Sequence, residues 1–199
     1  MKINENIKIL GQKCVLVPYE AKHVPKYYNW LGDEEIRRLT ASDRLSLEEE
    51  YEMQKSWRND DDKLTFIVLD KNSHDEKPYN EEKSMVGDVN LFVSEDEGTS
   101  QAEVEVMIAE ESARGKGIAT EAIRLIMGYA IEHLKIKKFF VKITDDNTSS
   151  LHIFEKKLGF TLISHSKVFG EYNLELDDSK IPEFRDNFVN HSKILEYNQ

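Results

Sequence analysis

Cysteine is almost missing: Cys14 is the only one in 199 residues. A single thiol excludes an intramolecular disulfide and a cysteine-based metal cluster. A reducing compartment, cytoplasmic or nuclear, is therefore expected. His23, His74, His133, His152, His165 and His191 are scattered, without HxxxH or HExxH spacing, so no metal site is expected. There is no run of eighteen apolar residues, so no membrane span is expected. The first ten residues alternate Lys, Asn and Glu with Ile, and lack the basic start and apolar block of a signal peptide. Positive charge is also short. Lys and Arg number 27 against 38 Asp and Glu, a formal net charge of −11. That balance argues against a nucleic-acid binder, which needs a basic face. It keeps a protein soluble and is compatible with a cationic or amine partner. What is present, 39% hydrophobic residues, suffices for the core of one domain.

Hydrophobic patterning lays out the elements. Residues 13–18 predict a first strand, and 21–30 a helix with Val24, Tyr27, Tyr28 and Leu31 on its apolar face. A second helix starts at Ser46, where Glu49 completes a capping box. Glu48, Glu49 and Glu50 fill its first turn, where the helix dipole favours acids. The run LTFIVL at 64–69 predicts a strand buried on both faces. Residues 74–83, with Pro78, read as an exposed loop. Strands at 85–93 and 102–109 form a hairpin around SEDEGTSQ. A helix over 116–134 gathers Ala119, Ile123, Ile126, Ala130 and Leu134 on one face. A strand at 138–143, a short helix at 149–157 ended by Gly159, and strands at 161–169 and 172–176 follow. The expected domain spans 1–178, with 179–199 a C-terminal helix or tail. This order predicts an α+β fold, a mixed, mostly antiparallel sheet with helices on both faces.

The segment AEESARGKGIAT, from Ala109 to Thr120, joins a strand to a helix. Its backbone N–H groups are free at the helix start, where the dipole is positive, and a pyrophosphate fits such a place. Gly115 and Gly117 permit close approach, and Arg114 and Lys116 add charge. Two glycines alone also describe an ordinary strand-to-helix loop. The nucleotide-triphosphate loop needs Ser or Thr after its Gly-Lys, and Gly117 follows Lys116. The dinucleotide fingerprint needs a third glycine where Thr120 stands.

Arg114-x-x-Gly117-x-Ala119 resembles the [Gln/Arg]-x-x-Gly-x-[Gly/Ala] motif of the GNAT N-acetyltransferases. Asn147-Thr-Ser-Ser150, then Leu151 to Phe154, then Leu158-Gly159-Phe160, resembles that family's second conserved region. The resemblance spans 13–176. The strings LTASDRLSLEEEYEMQKSW, TFIVLD, MVGDVNLF and EVEVMIAE are similar to the eukaryotic N-acetyltransferase 9-like subfamily. It implies the GNAT fold, acetyl-CoA as cosubstrate and transfer to an amine. It further implies that backbone groups of Met107, Ile108 and Ala109 meet the pantetheine arm. N–H groups of Gly115, Lys116, Gly117, Ile118, Ala119 and Thr120 would hold the pyrophosphate, with Arg114 beside them and Asn147 farther along. An N–H at Ile108 would stabilise the oxyanion.

Acid–base candidates come from strand alternation. Glu103, Glu105 and Met107 share one face, and Val104, Val106 and Ile108 the other. Glu105 is the candidate base, and Asp88 and Asn90 are candidates for contacting substrate. All three also suit a solvated hairpin end. Many GNAT enzymes carry a tyrosine acid where Phe154 stands here, and one extra residue separates Phe154 from Gly159. A thiol of pKa about 8.5 leaves tolerably as thiolate without an acid. An α-amine, with pKa about 7.7–8.0, is neutral far more often at pH 7 than a lysine at about 10.4. A protein or peptide N-terminus is thus the expected acceptor, attacked directly because neither motif holds a cysteine. The alternative is a catalytically weak acetyl-CoA-binding fold that acts through protein contacts. Trp30, Trp57, Cys14 and Tyr172 are expected to serve packing.

Overall fold

Alternating and continuous apolar runs assemble into one sheet. In the computed structural model, which describes residues 2–197, the strands are β1 (Ile7–Leu10), β2 (Cys14–Pro18), β3 (Lys63–Asp70), β4 (Met85–Asp96), β5 (Thr99–Ile108), β6 (Lys138–Thr144), β7 (Phe160–Ser166), β8 (Glu171–Leu176) and β9 (Lys193–Glu196). Their order is β7-β8-β6-β5-β4-β3-β2-β1-β9. β5 and β6 run parallel, and every other neighbouring pair is antiparallel. The helices are α1 (Val24–Trp30), α2 (Glu34–Thr40), α3 (Leu47–Asn59), α4 (Lys71–Asp75), α5 (Glu81–Ser84), α6 (Ile118–Tyr129), α7 (Thr148–Leu151) and α8 (Ile181–His191). This is the mixed, mostly antiparallel α+β architecture that the sequence predicts.

The inner strand β3 is buried along its whole length. Leu64, Phe66 and Val68 meet α6 and α8 on one face, while Ile67 and Leu69 meet α1 on the other. Each such side chain contributes roughly 1.5–3 kcal/mol of burial. Ile123 and Ile126 of the predicted stripe lie on α6, and Ala130 in the π turn that follows it; all three are fully buried. α8 crosses α6 at Gly128, where any Cβ would overlap Phe188. Phe184 and Phe188 fill the contact.

Several elements differ from the sequence reading. The C-terminal segment is a helix only to His191; β9 then pairs antiparallel with β1 and covers its edge. α2 begins at the side chain of Asp33, which accepts from the N–H groups of Glu35 and Ile36. The presumed loop at 74–83 contains the end of α4 and the start of α5, which Asn80 caps. α7 runs into a π turn, His152–Leu158, ended by Gly159. A π turn absorbs one extra residue, which accounts for the longer spacing between Phe154 and Gly159. The capping box at Ser46 forms as expected. Glu50, however, turns inward and is fully buried, and burial raises its pKa.

Candidate active site

Register gathers polar side chains on one face. β3, β4 and β5 align Thr65 with Asn90 and Asn90 with Glu105, and place Asp88 beside Met107. Alternation then points Lys63, Thr65, Asp88, Asn90, Glu103 and Glu105 to the α1–α3 side. Val104 goes to the α6 core. A cleft of about 640 Å³ opens over these polar groups, rimmed by Leu39 to Ser42 and by Phe169.

The cleft floor is a buried polar chain. Thr65 Oγ1 donates to Asn90 Oδ1 (2.7 Å), and Asn90 Nδ2 donates to Asp88 Oδ2 (2.9 Å). The Tyr27 hydroxyl donates to the same Asp88 oxygen at 3.4 Å. Asp88 is 2% exposed, and burial pushes its pKa up to about 6 against the pull of Asn90 and Lys63. Glu105 faces open cleft yet is crowded by its walls. That crowding raises its pKa to about 7; Lys63 opposes the rise, and the charges of Asp88 and Glu103 add to it. Lys63 is buried with its ammonium 3.6 Å from the ring centre of Trp57 and 3.7 Å from that of Phe92. Burial lowers its pKa, while Glu105 and Asp88 pull the other way. Cation–π contacts of this kind offset part of the desolvation. Glu103 pairs with Lys142 at 2.8 Å.

Beside the cleft the sheet splits. β5 and β6 pair only from Gln101–Lys138 to Glu103–Phe140. Beyond that, β5 continues to Ile108 and β6 to Thr144 without pairing to each other. In an antiparallel ladder, hydrogen-bonded pairs alternate with pairs whose N–H and C=O point outward. Ala109 N–H donates to Val86 O at 2.9 Å, which fixes the phase. Val106 and Ile108 therefore face the split, and Met107 faces β4. Of Met107, Ile108 and Ala109, then, Ile108 is the residue whose backbone groups reach the opening, and Val106 joins it. The Ile108 carbonyl is occupied: Arg114 Nε donates to it at 3.0 Å and Arg114 Nη2 to Ala109 O at 3.2 Å. Arg114 thus braces the turn that follows.

Gly117 caps α6 with φ 80°. Glu121 is the first residue of α6 whose N–H finds an acceptor there, Gly117 O at 3.1 Å. The N–H groups ahead of it lack an acceptor within the helix. The Ile118 side chain is buried, so that residue can offer ligand only its backbone. A Cβ at position 117 would lie 2.7 Å from Lys13 Nζ. Asn147 lines the cleft and caps α7 by accepting from Ser150 N–H. Phe154 is buried edge-to-face on Phe160, 5.1 Å between centroids, and brings no hydroxyl to the cleft. Tyr172 stacks on His165 (4.4 Å) and packs on the α6-side core.

Comparison with known proteins identifies the family. The family model described as an acetyltransferase (GNAT) domain matches residues 13–161. The chain is 54% identical over 202 residues to an N-acetyltransferase 9-like protein of Caenorhabditis briggsae, covering 99% of this chain and 100% of that one. The chain belongs to the GNAT acetyltransferases. Within this family it is of the N-acetyltransferase 9-like kind. A second relative, the alpha/beta-tubulin N-acetyltransferase 9 of Drosophila melanogaster, is 51% identical over 179 residues, 88% of each chain. The spermidine N-acetyltransferase of Vibrio cholerae, solved with CoA and spermine, shares the fold at a TM-score of 0.70 and 19% identity, over 85% of this chain and 98% of that one.

This GNAT chain is an acetyl-CoA-dependent N-acetyltransferase. Its residues suit the cosubstrate: an unpaired strand edge at Val106 and Ile108, free N–H groups at the turn, and cations beside it. The sequence reading missed Lys63, Trp57, Tyr27 and Lys13 as members of the site. A lysine opening a strand reads as solvated, and nothing local says that two rings will enclose it. Lys13 reaches the turn because Glu121 accepts the N–H groups of Gln12, Lys13 and Cys14 across more than a hundred residues.

Proposed function

We propose that this enzyme acetylates the α-amine of a protein or peptide N-terminus, with Glu105 taking the proton from the attacking amine. The observation that carries this is Glu105 lining the cleft above buried Asp88, where crowding by the cleft walls pushes the Glu105 carboxyl up to about 7. A base near 7 lies about one pKa unit below an α-ammonium and more than three below a lysine. Deprotonation is uphill about tenfold in the first case and more than a thousandfold in the second. The Drosophila relative is named for tubulin, a protein, which supports a macromolecular acceptor.

Each residue then has a task. N–H groups of the Gly115–Thr120 turn bind the pyrophosphate, and Arg114 holds that turn in place. The Ile108 N–H, facing the split, donates to the acetyl oxygen. Asp88 and Asn90 orient the amine from the cleft floor. When bound, acetyl-CoA supplies the activated acetyl group and a thiol leaving group. With Phe154 in the acid position, that thiol departs as thiolate.

Two peptides of one sequence test the acceptor. One has a free N-terminus and no lysine; the other is N-terminally blocked and carries one lysine. Acetylation of the first, read by CoA release and intact mass, is expected. Acetylation of the second alone would overturn the reading.

A further inference from the structure

On the outer side of the glycine turn lies a groove of about 540 Å³, bordered by Gly115, Gly117 and Thr120. Lys13 from the β1–β2 turn, Lys116 from the glycine turn, Arg124 from α6 and Lys157 from the π turn converge on it. In a chain of net charge −11, four basic side chains from four segments run against the overall balance. Glu121 also lines the groove, but its two oxygens accept from Gln12, Lys13 and Cys14 N–H at 3.1, 2.7 and 2.8 Å. Its charge is engaged in fixing the hairpin. Lys13 Nζ is fastened to Lys116 O at 3.1 Å, right at Gly117. Arg124 pairs with exposed Glu183 at 3.2 Å and donates to Lys157 O. Lys116 and Lys157 make no ion pair across the groove with any described residue.

The sequence of sites along the cosubstrate says what comes here. In the binding mode proposed above, the pantetheine arm lies in the split and the pyrophosphate at the turn. Past the turn only the nucleotide end is left, and it carries a phosphomonoester. Such a group has a second pKa near 6, so its charge at pH 7 is about −1.5 to −2. We propose that this groove is a phosphomonoester subsite for the 3′-phosphate of coenzyme A, contacted by Lys13, Arg124 and Lys157, and that it makes the enzyme discriminate CoA from dephospho-CoA. The inference is independent of which amine is acetylated. It rests on acetyl-CoA as cosubstrate and on the pyrophosphate at the turn.

Binding to the full chain tests it without turnover. CoA and dephospho-CoA are titrated by calorimetry and thermal shift into wild type, Lys157→Gln and Lys13→Gln. Wild type is expected to prefer CoA by on the order of tenfold or more, the size of a charge-assisted contact. Lys157→Gln should lose most of that preference while keeping its dephospho-CoA affinity, and Lys13→Gln, whose ammonium also lies at the turn, should weaken CoA more than dephospho-CoA. The preference should also shrink as salt rises. Lys157 is exposed, so its variant should fold normally even if Lys13→Gln loosens the hairpin. Equal affinity of wild type for both ligands would overturn the subsite. Equal weakening of both ligands in Lys157→Gln would instead assign that cation to the pyrophosphate, and would also overturn it. Failure of wild type to bind dephospho-CoA and CoA at all would fall on the turn itself.

Discussion

Asp88 is a buried acid whose environment can be read out through stability. Its pKa is about 6 in the fold and about 3.9 in an unfolded chain. The folded protein holds that proton more tightly. Stability from this group is therefore fully present below about pH 4 and is lost as pH rises through about 6. Asp88→Asn removes the titration. Relative to wild type, the variant should gain about 2 kcal/mol between pH 4 and pH 7, measured by urea unfolding at both values. A constant difference would mean that Asp88 is not held as a protonated acid. Alternation alone made the Glu105 face legible in the sequence. The depth of Asp88 and Asn90 was not, because burial depends on α1 and α3 closing over β4. Tyr27, which donates to Asp88, was visible only as an apolar helix position.

Among elements, α6 shows how far local pattern reaches. Its apolar stripe and its glycine start were readable, as was the capping box of α3. The docking of α8 was not, since it depends on Gly128 meeting Phe188 sixty residues on. Gly128→Ala should force these helices apart and cost about 1–3 kcal/mol. In a chain of this size that lowers Tm by roughly 2–4 °C per kcal/mol. Phe188→Ala in the same background should cost less than the sum of the single changes, because both act on one contact. Additive losses in thermal melts would deny the contact. β9 was illegible for a related reason: KILE pairs with β1, and a four-residue strand has no signal apart from its partner. The extra residue before Gly159 was visible, but its accommodation as a π turn was not.

At the scale of the molecule, the fold places two openings side by side. The split between β5 and β6 is the place we propose for the cosubstrate, and the polar cleft on the α1–α3 face the place for the amine. Both exist because one strand pair in the sheet is parallel and parts after three residue pairs. The family motifs made this architecture legible from one turn and one short helix. The acceptor cleft carries no such motif, since its walls come from segments between residues 27 and 171. Glu105 stands at the junction of the two openings, and its role bears the weight of the functional account. The most direct test is the pH profile of kcat/KM with a free-N-terminal peptide, for wild type and Glu105→Gln. Wild type should rise with pH through a limb near 7, as the carboxyl loses its proton. Glu105→Gln should lose the limb near 7, keep only the rise from the amine's own ionisation at about 7.7–8.0, and fall on the order of 10²- to 10⁴-fold. A variant that keeps both the limb and the rate would contradict Glu105 as the base.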